Sequence, residues 1–212
     1  VEKIGILGGT FNPVHTGHLL IAQAAREQYG LERVLLMPCY KPPHKNVAGL
    51  APATDRLAMV RLAVRGDPGL GVCNLELERG GISYAVTTMK AFRQRYPGIL
   101  PHFIIGMDSL RELHLWRNVR ELLELCPFIV VDRPGMDRPV CASELPLPAP
   151  WPLRLLTSLV RGRLFEVSSS EIRRRVAENR TIRYLVPEAV EDYIRRKGLY
   201  GAPAKAGQGG GH

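Results

Sequence analysis

The chain has 212 residues, 45% of them apolar and 23% charged, and carries a formal net charge of +9. That length admits one sizeable α/β core and excludes two full-sized domains, and the composition excludes a disordered or fibrous chain. No apolar run approaches the roughly 20 residues that cross a bilayer, and no basic, apolar, cleavable leader opens the chain, so a cytoplasmic protein with no membrane partner is expected.

In chain order, residues 3–7 read as a strand, followed by a glycine turn and a helix over 18–28 that Gly30 closes. A strand over 33–37 precedes a helix over 56–64, capped by Thr54 or Asp55. Then come a strand at 71–75, a helix at 86–95, a strand at 102–105, a helix at 119–125 and a strand at 128–131. Strict alternation of this kind predicts a Rossmann-like, doubly wound parallel sheet with right-handed crossovers and helices on both faces. Residues 134–152 are rich in proline and read as a loop or lid. Beyond them a short strand is expected at 164–167, a helix at 169–178, and a helix at 187–197 begun by Pro187 and stopped by Gly198. The expected organisation is a single domain over 1–201 with a small C-terminal helical subregion at about 168–200, then a glycine-rich disordered tail at 202–212.

Cys39, Cys73, Cys126 and Cys141 lie far apart with no paired spacing, which points to reduced thiols and no cysteine-bound metal. Much of the positive excess lies in arginines between Arg161 and Arg196, where solvated helix faces account for it. No nucleic-acid motif accompanies the charge, so no nucleic-acid partner is expected.

The most informative stretch is Gly8-Gly9-Thr10-Phe11-Asn12-Pro13-Val14-His15-Thr16-Gly17-His18, which follows a strand and opens a helix. Its glycines let the backbone approach a ligand closely, and the first turn of a helix offers amide donors and a favourable dipole to phosphate. His15 and His18 are three apart around that turn and can face one anion, with Gly17 leaving room between them. The bland reading has one histidine capping the helix and the other packing. Far along the chain, Ser168-Ser169-Ser170-Glu171-Ile172-Arg173 marks a second helix start where hydroxyls, amides and a guanidinium fork can hold phosphate. Capping by Ser169 or Ser170, with Arg173 in solvent, is the alternative.

The first segment resembles the signature of the His-x-Gly-His nucleotidyltransferase superfamily, and the second resembles its Ser-Ser-x-x-Ile-Arg element. The resemblance implies that His15, His18 and Arg173 are catalytic, and that Gly8, Gly9, Thr10, Phe11, Ser169 and Ser170 join them around ATP. The middle of the chain is similar to the bacterial nicotinate-nucleotide adenylyltransferase family in Pro42-Pro43-His44-Lys45, Ile82-Ser83-Tyr84, Ile104-Ile105-Gly106-Met107-Asp108-Ser109-Leu110 with Trp116 after it, and Val131-Asp132-Arg133-Pro134-Gly135. Nicotinate mononucleotide is then the implied acceptor, bound by Lys45, Ser83, Tyr84, Ala85 and Trp116, and Gly106, Asp108 and Arg133 complete the ATP site.

A pyridine carboxylate needs a flat apolar partner and donors that tolerate negative charge, which Trp116 and the amides near Tyr84 and Ala85 supply. Trp116 as an ordinary core aromatic, Asp108 as the cap of a helix starting near Ser109, and Lys45 in a solvated basic loop remain open alternatives. Two departures stand out. The family's usual Ser-Tyr-Thr-x-Asp-Thr is here Ser83-Tyr84-Ala85-Val86-Thr87-Thr88, and Asn12 stands where aspartate is frequent. The expected chemistry is in-line attack of the acceptor's phosphate on the α-phosphorus of ATP, giving deamido-NAD and pyrophosphate, with Mg²⁺ carried by the nucleotide and no dedicated metal ligands on the protein. A homo-oligomer is left open. The rivals are a sibling enzyme acting on phosphopantetheine or nicotinamide mononucleotide, and a non-catalytic nucleotide-binding module.

Overall fold

The computed structural model describes residues 2–43, 49–132, 140–162 and 166–201. Six strands, β1 (Glu2–Gly9), β2 (Arg33–Pro38), β3 (Leu70–Val72), β4 (Ile99–Gly106), β5 (Phe128–Asp132) and β6 (Leu159–Arg161), form one sheet in the order β3-β2-β1-β4-β5-β6. Every neighbouring pair is parallel. The chain runs outward from β1 to β3, then returns to the other side of β1 for β4, so the order reverses between β1 and β4. Such a reversal opens a crevice beyond the strand ends where ligands of doubly wound sheets bind.

Helices cover both faces, as a parallel sheet requires. On one face α1 (Thr16–Tyr29) and α2 (Ala53–Ala63) pack with α8 (Ser169–Ala177) and α9 (Glu188–Lys197), sharing a core that joins Leu7, Phe11 and Val14 to Ile21, Val60, Ile172, Val190 and Ile194. On the other, α3 (Leu75–Arg79), α4 (Ala85–Arg95), α5 (Met107–Glu112), α6 (Val119–Leu125) and α7 (Trp151–Thr157) enclose Ile6, Met37, Met89, Phe92, Phe103, Leu122 and Leu155. The C-terminal helices therefore belong to the same core as the helix that follows the first glycine turn. Gly30 ends α1 at φ 59°, the left-handed cap that glycine adopts without a Cβ penalty.

Several expectations need correction. The strand expected at 71–75 stops at Val72: the Cys73 amide makes the last ladder bond, to Leu36, and the chain then turns through Asn74 into α3, burying Glu76. The helix α2 begins at Ala53 with Pro52 as its cap, and Thr54 and Asp55 lie inside its first turn, which the Arg56 amide closes on the Pro52 carbonyl. The sixth strand is Leu159–Arg161 rather than 164–167; of that expected strand, 164 and 165 lie outside the described residues and Glu166 and Val167 are not in a strand. The proline-rich segment 134–152 is not loop throughout: a 3₁₀ turn occupies Ala142–Glu144 and α7 starts at Trp151, while 133–139 lie outside the described residues, as does the tail at 202–212. Ser168, not Ser169 or Ser170, caps α8, its hydroxyl accepting the Glu171 amide at 3.1 Å. Among the described residues no helix is long and apolar enough to cross a membrane.

Candidate functional site

The turn from β1 into α1 lies at the crevice. Gly8 is exposed at the strand end, and a side chain on Gly9 would come within 3.0–3.2 Å of the Phe11 ring, so glycine is needed for that ring to lie against the backbone. Phe11 adopts φ 47° and is fully buried, with its ring edge-on to His18 at 4.9 Å between centroids. It was expected to border the nucleotide; its ring instead backs His18 from within the core. His15 occupies the N-cap position of α1 and is buried, so the capping half of the bland reading holds for it. Its imidazole lies 3.7 Å from that of His18, centroid to centroid, at 32° between planes.

The His15 amide donates to Nδ1 of His18 at 3.2 Å. A neutral imidazole that accepts at one nitrogen carries its proton on the other, so this bond makes Nε2 the donor of His18. The first helix amide, expected to serve phosphate, is otherwise engaged: Thr16 donates its N–H to Leu185 and its hydroxyl to the Tyr184 carbonyl. The His18 amide is engaged as well, closing the turn on the His15 carbonyl at 2.9 Å.

The late motif reaches the same loop. Ser169 donates its hydroxyl to the Pro13 carbonyl at 2.9 Å, and Arg173 donates to the Asn12 carbonyl at 2.8 Å and to Ser170 Oγ at 3.2 Å. Arg173 is therefore not a solvated helix arginine, and Ser169 and Ser170 are bonded residues of the site rather than caps. A cavity of about 640 Å³ opens beside them, between residues 49–51 and Ser170, Arg173 and Arg174.

One residue of this site went unrecognised in the sequence. Arg56 is completely buried, and its guanidinium donates to the carbonyls of Ala51, Thr10, Cys39 and Tyr40 at 2.6–3.0 Å. It ties the cradle to the loop that leaves β2 and to the approach to α2. An arginine one turn into a helix gives no such hint, because its partners are backbone carbonyls that a motif does not display.

On the acceptor side, Tyr84 stands at the N-cap position of α4 and Ala85 is its first residue. The Arg117 guanidinium covers the Tyr84 ring at 4.6 Å. Trp116 is half-buried and meets Phe103 edge-on at 6.1 Å, so it is both a packing aromatic and a partly open ring. Ser83 accepts the Tyr40 amide on its hydroxyl at 3.0 Å and donates its own amide to Lys41, fastening the loop after β2 to this ledge.

Thr88, at the position where the family's pattern also has threonine, is fixed by polar contacts. The Thr88 hydroxyl donates to the buried Glu76 carboxylate at 2.6 Å and accepts from Arg79 at 3.2 Å. Burial pushes the Glu76 carboxyl up, opposed by hydrogen bonds from Ser83 and Thr88 and by the charges of Arg79 and Arg56.

Gly106 closes β4 as the N-cap residue of α5, and a Cβ there would meet nothing within 4 Å. Asp108 is exposed in the first turn of α5 and is not its cap, where its charge complements the helix dipole. Arg133 and Lys45 lie outside the described residues.

Comparison with known proteins agrees with this layout. The cytidylyltransferase-like family profile matches residues 6–175. A probable nicotinate-nucleotide adenylyltransferase of Pelobacter propionicus is 43% identical over 93% of this chain and 98% of its own, and one of Gloeobacter violaceus is 40% identical over 97% and 99%. In three dimensions the chain superposes on the nicotinic acid mononucleotide adenylyltransferase of Plasmodium falciparum complexed with NaAD, with a TM-score of 0.76 at 17% identity over 96% of this chain and 99% of that one, a likeness of fold. With both nucleotidyltransferase motifs brought to one loop and relatives matched over nearly their whole length, the chain belongs to the nicotinate-nucleotide adenylyltransferase family.

Proposed function

We propose that this protein transfers the adenylyl group of ATP to nicotinate mononucleotide, releasing pyrophosphate and forming deamido-NAD. The observation that carries the reading is the meeting of two distant motifs at one loop: Arg173 and Ser169 bond the carbonyls of Asn12 and Pro13, immediately before His15 and His18. A triphosphate placed there is met by cationic and hydrogen-bonding groups from both ends of the chain.

The acceptor's phosphate monoester has a second pKa of about 6, so its attacking oxygen is ionised at neutral pH and needs no general base. The protein's work is positioning two anions and neutralising charge as pyrophosphate departs. His18, with Nε2 as donor, and Arg173 are assigned to the phosphates, with His15 orienting His18 through its amide and sharing the phosphate contact. Gly8, Gly9, Thr10, Ser169 and Ser170 complete the phosphate wall. Gly106, open above its backbone, and Asp108 are assigned to the nucleoside of ATP, together with Arg133. On the acceptor side the α4 amides at Tyr84 and Ala85 are assigned to the nicotinate carboxylate and Trp116 to the ring, with Ser83 shaping the ledge and Lys45 reaching the acceptor phosphate.

The donors at the cradle are N–H and O–H groups, which suit phosphate oxygens and not a cation, and among the described residues no three His, Cys, Asp or Glu side chains cluster as a metal site. Mg²⁺ is assigned to the phosphates of ATP itself, where it adds to charge neutralisation.

The test is a comparison of initial rates of ATP-dependent pyrophosphate release with nicotinate mononucleotide, nicotinamide mononucleotide and phosphopantetheine. The acid nucleotide is expected to be the preferred acceptor by at least about tenfold, since a site built around donors for a carboxylate discriminates against an acceptor lacking it. Faster release with either of the other two overturns the assignment of acceptor.

A further inference from the structure

Asn12 is held in the cradle by bonds to both ends of its side-chain amide. It is buried, and its side-chain amide donates to the Gly49 carbonyl at 3.0 Å while its Oδ1 accepts the Ala51 amide at 3.0 Å. Its main-chain carbonyl takes the Arg173 guanidinium. A fourth partner arrives from the other end of the chain: the Tyr200 hydroxyl donates to Asn12 Oδ1 at 2.8 Å, across 188 positions. Tyr200 sits in the 3₁₀ turn Leu199–Gly201 after α9 and adopts φ 61°, a left-handed conformation that a bulky residue takes only when its surroundings hold it there. Its ring lines the cavity shared with Ser170 and Arg173.

Two features set this contact apart from ordinary packing. The left-handed backbone of a half-buried tyrosine and the hydroxyl's aim at the polar side chain of a buried cradle residue make the bond a specific tie. Its place is also decisive, since Asn12 carries the carbonyl on which Arg173 rests. A shift of Asn12 moves the guanidinium and the loop leading to His15 together. A second tyrosine of the same segment makes a bond of similar length to another residue: Tyr193 donates to Asp55 Oδ1 at 2.7 Å, on the first turn of α2 rather than to Asn12.

Resting on the adenylyl-transfer reading, we propose that Tyr200 is a positioning residue of the reaction: its hydroxyl, through Asn12, holds the phosphate cradle and Arg173 in register for the triphosphate. Burial raises the phenol well above its ordinary value, so it stays protonated and remains a donor throughout the neutral range. The polar network makes Tyr200 act on the ATP side of the site, and among the described residues no hydrogen bond joins it directly to the ledge around Tyr84.

The experiment compares the full-length parent, Tyr200→Phe and Tyr193→Phe. Each variant keeps its ring and loses one hydroxyl, and each is measured for thermal midpoint, kcat, and KM for ATP and for nicotinate mononucleotide. Tyr200→Phe is expected to lower kcat/KM for ATP by about tenfold, the upper end of what one buried hydrogen bond supplies, with KM for nicotinate mononucleotide within about twofold of the parent. Tyr193→Phe is expected to keep both substrates' constants within about twofold, although loss of one hydrogen bond lowers the thermal midpoint of both variants by similar amounts. Equal kinetic losses in the two variants, or parental kinetics in Tyr200→Phe, overturn the positioning role. A parent that fails to adenylylate nicotinate mononucleotide overturns the functional assignment instead, whereas an active parent with an indifferent Tyr200→Phe overturns only this inference.

Discussion

The side chains that bind the cradle loop come from 156 and 161 positions away, in Ser169 and Arg173, whereas the bond at the heart of the acceptor ledge joins Thr88 to Glu76 across 12 positions. The cradle is therefore complete only when the whole chain has folded, with Arg56, Ser169 and Arg173 all bonding its carbonyls. The ledge is held by one long-range tie, Ser83 to the loop at Tyr40, and by the local pair of Thr88 and the buried Glu76 carboxylate. A backbone-anchored cradle gives the rigidity that transition-state charge stabilisation demands. A ledge built from side chains can change acceptor preference without disturbing it. The difference assigns different symptoms to damage in the two regions: turnover in the first, acceptor affinity and stability in the second.

The largest effect should come from His18→Ala. The substitution removes the Nε2 donor and the ring that Phe11 and His15 hold, and should cost on the order of 10²–10³ in turnover, as loss of an oxyanion donor does elsewhere. Because Phe11 and His15 stay buried without it, the fold should persist. Steady-state pyrophosphate release, with circular dichroism as the control, checks this, and near-parental turnover in a folded variant removes His18 from the charge-stabilising role.

A smaller effect separates the two regions. Thr88→Val removes the hydroxyl that donates to Glu76 while keeping the volume, leaving a buried carboxylate one donor short. Loss of a buried hydrogen bond of this kind costs about 1–3 kcal/mol of stability. The ledge around Tyr84 loosens with it, so KM for nicotinate mononucleotide should rise by roughly threefold to tenfold with KM for ATP unchanged. A matching rise in both constants would show that the cradle and the ledge are one mechanical unit, against the contrast drawn above.

Five of the six strands, six of the helices to within a few residues, and the two phosphate motifs were legible in the sequence, because strand–helix alternation and local glycine, histidine and serine spacings are written in neighbouring residues. The strand Leu159–Arg161 was not, since three residues pairing with one neighbour at a sheet edge leave no periodicity to read. Nor was Ser83, expected on the acceptor: its hydroxyl fastens the loop at Tyr40, a neighbour created only by the Lys41–Ile82 bridge. Arg56 was invisible for the same reason, and so was the tie of Thr88 to the buried Glu76 carboxylate. What escapes sequence reading here is long-range hydrogen bonding to the backbone, which has no residue-type signature on the accepting side.

The smallest expected effect lies outside both regions and serves to keep them apart. His102 is buried in β4, with Nδ1 at 3.2 Å from the Leu100 carbonyl and its ring 6.5 Å from that of Tyr29. Burial, helped by the charge of Lys3, holds its imidazole below the ordinary value against the opposing carbonyl bond. The folded chain thus favours neutral His102, while the unfolded chain protonates it at about pH 6.5. Between the two values the unfolded state binds more protons, so stability is fully present above about pH 6.5 and declines as pH falls toward the depressed folded value, below which this contribution is flat. His102→Gln should reduce the difference between denaturation midpoints measured at about pH 7.5 and about pH 5.5, with the rate of adenylyl transfer at the higher pH unchanged. An undiminished difference in that variant would place the acid sensitivity elsewhere, with Glu76 excluded by sign: a carboxyl raised by burial loses its stabilising contribution as pH rises, so it opposes the slope that His102 creates.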